Sequence, residues 1–432
     1  MEIDQLYRLY LKHPVIKTDT RKIQDGDIFF ALKGPNFNGN DFAEQALAAG
    51  AAYAVVDEEI NLVDDRLIRC TDTLSTLQKL AQHHREQFKY RPGSYQLPFI
   101  AITGSNGKTT TKELVHAVLS SVYKTYTTEG NLNNHIGIPL TILKIRDDAE
   151  MAVIEMGANH AKEIEGYCKY AQPTHGLITN FGRAHLEGFG GIEGVRKAKS
   201  ELFNYLRENE GTAFINSDDK FIRIMSKGIR NLVTYGSTNG QIRGTILDSA
   251  AFLKVLIAGE ISIKNLNTEL VGEYNLPNVL AAVTIGNYFN VPSDKIKMAI
   301  ENYVPSNSRS QMIKQGSNNI ILDAYNANPD SMKAAIENFA RMPADNKVLM
   351  LGSMMELGKE SVHEHEQIVN LINRFNWKKV VLVGSDFKEV SNHFINFENS
   401  DQAREWLKEQ HFQNTYFLIK GSRSMQMEKV LE

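Results

Sequence analysis

Apolar residues along this chain fall into short strand-like runs separated by stretches with helical spacing. Near the amino terminus, Ile28 to Leu32 and Ala52 to Val56 read as strands, with a helix at Asp41 to Ala49. Helical spacing resumes from Thr73 to Phe88 and stops at Arg91-Pro92-Gly93, a breaker cluster that reads as a domain boundary. From Pro98 the order becomes strand (Phe99 to Thr103), glycine loop (Gly104 to Gly107) and helix (Lys108 to Ser121). Strands at Met151 to Glu155 and Gly176 to Thr179 extend this into a mostly parallel sheet flanked by helices. Past Thr212 the runs shorten. Phe252 to Ile257 and Thr268 to Val271 are separated by turn residues and not by helices, which predicts an antiparallel edge on the same sheet. Helices follow at Pro277 to Phe289 and Ser293 to Asn302. After Pro305, strands at Ile320 to Asp323, Val348 to Leu351, Val380 to Val383 and Tyr416 to Ile419 alternate with helices near Ser331 to Ala340, Glu364 to Arg374 and Asp401 to Glu409. That rhythm predicts a Rossmann-like unit.

The expected fold class is therefore α/β in three domains, at residues 1–97, 98–306 and 307–432. A length of 432 residues agrees, since a prior of roughly 150 residues per domain gives about two to four. A net charge of −3 shows no chain-wide footprint for nucleic acid. Met1 to Lys12 lacks the apolar run of a signal peptide, and no segment approaches the ~20 apolar residues of a membrane span, so a cytoplasmic protein is expected. Cys70 and Cys168 sit in no metal-binding spacing and read as reduced structural thiols.

The strongest local signal is Gly104-Ser105-Asn106-Gly107-Lys108-Thr109-Thr110 between a strand and a helix. Glycines let backbone amides curl around phosphate oxygens, and the helix amino terminus adds partial positive charge. Lys108 is placed to neutralise β and γ phosphates, and the Thr109 hydroxyl to ligate Mg²⁺. The general pattern would have glycine at position 102, where Ile102 stands. A phosphate loop alone does not separate kinases, GTPases and ligases. The chain lacks an Asn-Lys-x-Asp element for guanine, which weakens the GTPase reading and leaves small-molecule kinases open.

Ile102 to Thr111 resembles the shortened phosphate loop of the Mur ligase family. Further blocks resemble that family in order: Thr128 to Asn134, Glu155 to His160, Ala184 to Glu187, Lys197 to Phe203, Asn307 to Gln311, Asp323 to Met332, Gly352 to Gly358 and Lys420 to Arg423. Two departures are visible, Tyr274 where a histidine is common and Ser353 where an aspartate is usual. Within the family, the blocks at 129–134, 155–160, 325–332 and 420–423 are similar to those of members that join D-alanyl-D-alanine to a UDP-N-acetylmuramoyl tripeptide.

The resemblance implies ATP and Mg²⁺ as cofactors, an acyl-phosphate intermediate, and those two small molecules as substrates. It implies a UDP-binding amino-terminal domain, a central P-loop ATP-binding domain and a carboxy-terminal domain that completes the ATP site. The chain is expected to act as a monomer, with no nucleic acid and no membrane insertion. Residue by residue, the resemblance implies Thr109, Glu155, His185 and Lys199, the last as a carbamate, around the metal, with Lys108 beside them as the catalytic cation. Asn275 and Asn278 match positions at adenine, while Arg309 and Asp323 match positions at the phosphates and ribose. Thr20, Arg21, Lys33 and Gly34 match the region that holds uridine diphosphate. Asn131, Asn133, Asn134, Tyr325, Asn326, Asn328 and Arg423 are expected near the peptide substrates. Taken alone, Lys199 reads as a charge on an amphipathic helix, and Asn275 and Asn278 read equally well as helix-capping residues. A ligase adding a single amino acid and a P-loop kinase are the competing readings.

Overall fold

The computed structural model describes residues 2–89, 96–306 and 308–432. Arg91-Pro92-Gly93 and Asn307 lie outside the described residues. The architecture is the expected three-domain α/β arrangement, with one main sheet in each domain.

In the amino-terminal sheet, β1 (Ile16–Lys17), β2 (Ile28–Phe30), β3 (Tyr53–Val56) and β4 (Leu67–Arg69) pair in parallel in chain order. The helix expected at Asp41 to Ala49 begins as a 3₁₀ turn, Gly39–Phe42, and becomes α-helical only at Ala43–Ala48. Asn38 Oδ1 causes this by accepting the Asn40 N–H at 3.1 Å, which tightens the first turn. Helices α1 (Ile3–Lys12) and α2 (Thr73–Gln87) pack together. Helix α2 also packs against two helices of the central domain, α3 (Gly137–Leu143) and α4 (Glu163–Ala171).

The central sheet runs in the order β13-β12-β11-β10-β9-β8-β5-β7-β6. Its strands are β5 (Phe99–Thr103), β6 (Thr125–Thr127), β7 (Met151–Glu155), β8 (His175–Ile178), β9 (Thr212–Asn216), β10 (Asn231–Gly236), β11 (Ile242–Asp248), β12 (Lys254–Gly259) and β13 (Ile263–Asn267). Pairing is parallel from β6 through β11 and antiparallel across β11, β12 and β13, so the expected antiparallel edge is present. Every residue of β5 and β7 is buried, as covered parallel strands require. One strand expectation fails, because Thr268 to Val271 is irregular. Thr268 Oγ1 donates to Leu253 O at 2.8 Å and accepts from Leu270 N at 3.2 Å, closing a turn. Leu270 and Val271 are buried in this loop, which exchanges backbone hydrogen bonds with Leu253 alone (Leu253 N–H to Leu270 O at 2.8 Å, Thr268 N–H to Leu253 O at 3.1 Å) and does not continue as a strand.

In the carboxy-terminal domain the strand order is β14-β15-β19-β16-β17-β18. The strands are β14 (Gln311–Gln315), β15 (Asn318–Asp323), β16 (Lys347–Gly352), β17 (Lys379–Val383), β18 (Ile395–Phe397) and β19 (Tyr416–Lys420), parallel except for the β14/β15 hairpin. The helix Pro329–Arg341 opens with a capping box between Asn328 and Ser331. Strands β5 and β7 deliver Gly104 and Glu155 at their carboxyl ends, and β15 and β19 deliver Asp323 and Lys420. Functional groups of two sheets therefore converge where α/β folds place their sites. Among the described residues no helix is long and apolar enough to cross a membrane.

Candidate active site

The loop after β5 depends on two glycines. Gly104 has φ +139°, and an added Cβ would lie 2.0 Å from Thr179 Oγ1; Gly107 has φ +78°, and a Cβ there would lie 2.6 Å from Asn278 Oδ1. The loop is held from behind by Ser105 N–H to Asn180 O at 3.1 Å and Asn106 N–H to Asn180 Oδ1 at 3.0 Å. The helix Lys108–Ser120 starts at Gly107 without a side-chain cap, which leaves its leading amides to an anion. Lys108 Nζ folds back onto Gly104 O at 2.7 Å and Ser105 O at 3.0 Å. Desolvation pushes its ammonium down to about 8, with Glu155 opposing the shift and Arg309 adding to it.

Glu155 is 1% exposed. Its Oε1 accepts from Thr109 Oγ1 at 3.1 Å and from Asn133 Nδ2 at 2.7 Å. Its Oε2 is buried without a hydrogen-bond partner among the described residues. A carboxylate oxygen left bare in this way is costly unless a cation reaches it. A hydroxyl and a carboxylate at a phosphate loop are hard oxygen donors of the kind Mg²⁺ takes. Among the described residues, no three His, Cys, Asp or Glu side chains converge as a metal site on their own.

These groups line a cavity of about 700 Å³ whose opposite wall comes from the carboxy-terminal domain. There, Lys420 Nζ meets Asp323 Oδ2 at 2.6 Å, Ser310 N–H donates to Asp323 Oδ1 at 3.0 Å, and the Arg309 guanidinium lies 3.6 Å from the Tyr325 ring centroid. Polar contacts join the two walls. Asn328 Nδ2 donates to Asn106 Oδ1 at 2.7 Å, and Arg183 binds Asp330 at 2.9 Å and Glu364 at 2.8 Å. His185 Nδ1 touches the Glu356 carboxylate, which holds that carboxyl below its usual range against the opposing effect of burial.

Family models match three stretches: the Mur ligase family catalytic domain at residues 14–85, the Mur ligase middle domain at 102–286, and the Mur ligase glutamate ligase domain at 308–423. The UDP-N-acetylmuramoyl-tripeptide--D-alanyl-D-alanine ligase of Escherichia coli (strain K12) is 35% identical, over 96% of this chain and 92% of the relative. That of Bacillus subtilis (strain 168) is 32% identical with the same coverage. The chain belongs to the Mur ligase family. Among solved structures, MurF from Acinetobacter baumannii superposes on this Mur ligase with a TM-score of 0.87 at 31% identity, over 96% of this chain and 92% of that one. MurF from Thermotoga maritima in complex with ADP gives 0.85 at 26% identity, over 98% and 97%.

Most residues singled out from sequence meet at the cavity of this Mur ligase. Ser105 to Thr110, Asn131, Asn133, Asn134, Glu155, His185, Asn275, Asn278, Arg309, Asp323, Tyr325, Asn326 and Asn328 all line it. Gly104 forms the base of the loop. Asn275 and Asn278 are engaged inward: Asn275 Nδ2 donates to Val271 O at 2.9 Å, Asn278 Nδ2 to Asn275 Oδ1 at 2.9 Å, and Thr111 Oγ1 to Asn278 Oδ1 at 3.1 Å. Lys199 is no solvated helix charge. It is 1% exposed, its Nζ donates to Ala158 O at 2.9 Å, and desolvation, aided by Lys108, pulls its ammonium well below the ordinary lysine value. Lys199, Thr20, Arg21, Lys33, Gly34 and Arg423 do not line the cavity. Arg21 pairs with Asp19, Lys33 with Asp57 and Glu58, and Arg423 with Glu428. Sequence reasoning missed Arg183, Asn180 and Glu364, and quoted Glu356 only inside a family block. Nothing local distinguishes Arg183, because both its partners are far along the chain.

Proposed function

We propose that this chain is an ATP-dependent amide ligase that joins D-alanyl-D-alanine to a UDP-N-acetylmuramoyl tripeptide through an acyl phosphate. It works in the cytoplasm during peptidoglycan precursor synthesis. Residues 1–97 take the UDP moiety through Thr20, Arg21, Lys33 and Gly34, and residues 98–306 and 307–432 share ATP. The observation that carries this reading is the bare, buried Oε2 of Glu155 beside Thr109, at a phosphate loop facing a second domain. The near-full-length likeness to relatives named for this reaction supports the choice of substrates.

A carboxylate does not acylate an amine in water, because its oxygen is a poor leaving group. A tripeptide carboxylate oxygen therefore attacks the γ-phosphorus of ATP, and the bond to ADP breaks. The dipeptide amine next attacks the acyl carbon, phosphate departs with the bonding electrons, and the amine loses a proton. The amides of Gly104 to Thr110 and the Lys108 ammonium hold the phosphates, joined by Arg309 from across the cleft. Asp323 takes the ribose, and Asn275 and Asn278 shape the adenine wall. Thr109, Glu155, His185 and a carbamoylated Lys199 would hold Mg²⁺, which when bound offsets the repulsion between phosphate and carboxylate. Carbamoylation needs a neutral amine, and burial beside Lys108 favours that form of Lys199. Asn131, Asn133, Asn134, Tyr325, Asn326, Asn328 and Arg423 attend the peptide substrates. A closed cleft keeps water from the acyl phosphate.

Phosphate release tests this. Release should require ATP, the UDP-muramoyl tripeptide and D-alanyl-D-alanine together. Equal release with a single amino acid in place of the dipeptide would make the chain a different amide ligase, and phosphorylation of a hydroxyl with no amine present would make it a kinase.

A further inference from the structure

His185 belongs to the central domain, yet its nearest charged group does not. Its Nδ1 is buried and makes no aligned hydrogen bond among the described residues, while Glu356 of the carboxy-terminal domain lies against it in ion-pair contact. Both residues hold left-handed backbone conformations, φ +54° at His185 and φ +63° at Glu356, which side chains larger than glycine adopt at a cost. Such strain persists where surrounding contacts fix it, and the loop carrying Glu356 is fixed at three points. Met354 N–H donates to His365 Nε2 at 3.0 Å, and Met355 N–H donates to Ser422 Oγ at 2.8 Å. Glu187 N–H, two residues past the histidine, donates to Glu356 O at 3.3 Å.

An imidazole that gives its Nδ1 proton to a carboxylate presents the lone pair of Nε2, and such a partner also fixes the plane of the ring. We propose that Glu356 is a positioning residue for His185, so that the histidine is primed as a ligand only when the carboxy-terminal domain has shut on the central one. This rests on the reading of His185 as a metal-binding residue. Two domains then share one ligand: the first provides the ring and the second sets its tautomer and orientation. An open enzyme would hold the metal less tightly than a closed one with no change in the ligand set.

The test uses the full chain with Mn²⁺ as the probe ion and ADP present, following free Mn²⁺ by electron paramagnetic resonance alongside steady-state kinetics. Glu356→Gly removes the carboxylate and suits the left-handed backbone, so the fold is kept. It should weaken Mn²⁺ binding by about tenfold or more and lower kcat by about 10- to 100-fold, with KM for ATP within about twofold. Glu356→Gln, which still offers an acceptor oxygen, should recover both to within about threefold of the parent. In a His185→Ala background, Glu356→Gly should add no further loss. Unchanged Mn²⁺ affinity in Glu356→Gly, or a full additive loss on top of His185→Ala, would overturn the proposal. The Mn²⁺ titration needs no peptide substrate, so failure of the parent enzyme to release phosphate would reject the functional reading and leave this pair separately tested.

Discussion

The central domain meets its two neighbours through interfaces of opposite character. Toward the amino-terminal domain the contact is dry. Arg85 is 0% exposed, lies 3.8 Å from the Phe99 ring centroid, and donates to Ala171 O and Gln172 O, both at 3.1 Å, capping the carboxyl end of α4. Beside it, His84 Nε2 is 2.8 Å from Ile145 O, and Tyr10 donates to Leu143 O. Toward the carboxy-terminal domain the contact is a rim of ion pairs and amides around a cavity, and the side chains of Arg183 and Asp330 remain 39% and 37% exposed. Desolvated groups cannot separate without losing their partners, whereas half-wet ion pairs exchange partners with water at little cost. The first interface is built to stay shut and the second to open.

The largest expected effect falls on the dry side. Arg85→Ala removes two charged hydrogen bonds and the contact with Phe99, and should destabilise the fold by about 3–4 kcal/mol in urea unfolding. A loss below about 1 kcal/mol would erase the contrast, because that is what an exposed ion pair is worth.

His84 supplies the next effect. Burial lowers its pKa from 6.5 to about 4, so the folded protein keeps the ring neutral while the unfolded chain protonates first. Its contribution is complete above pH 6.5 and is lost as the pH falls toward 4, a change of roughly 3 kcal/mol. The stability gap between the parent and His84→Gln should narrow by about that amount across this window. A gap that stays constant with pH would mean that the ring is not held neutral.

The smallest effect on stability belongs to the wet side. Asp330→Asn, which removes the charge of the exposed pair and leaves Arg183 on Glu364, should change the unfolding free energy by less than about 1 kcal/mol, yet enlarge the radius of gyration of the ADP-bound chain in X-ray scattering. Marked destabilisation with unchanged dimensions would show that this interface, too, is fixed.

These interfaces were the least legible part of the sequence. The phosphate loop could be read because its parts are consecutive and its chemistry is local. Glu155 could be read because a strand ending in a carboxylate beside that loop has few other uses. Arg183 could not, since Asp330 and Glu364 lie 147 and 181 residues further on. Arg85 resembles any polar residue near a helix end, and only the packing of α2 on α4 buries it. Thr268 to Val271 misled for a related reason, since a buried loop needs the same apolar residues as a strand. The burial of Lys199 is legible only through the family resemblance, because helical spacing marks a face without saying what will cover it.

The bridge between Asn106 and Asn328 joins two neutral amides at the phosphate loop. Neither titrates, so acidity leaves that link untouched, while dissolved salt screens the exposed Arg183–Asp330 pair beside it. Added salt therefore weakens this edge of the cleft at the Arg183–Asp330 pair and leaves the amide bridge beside it intact.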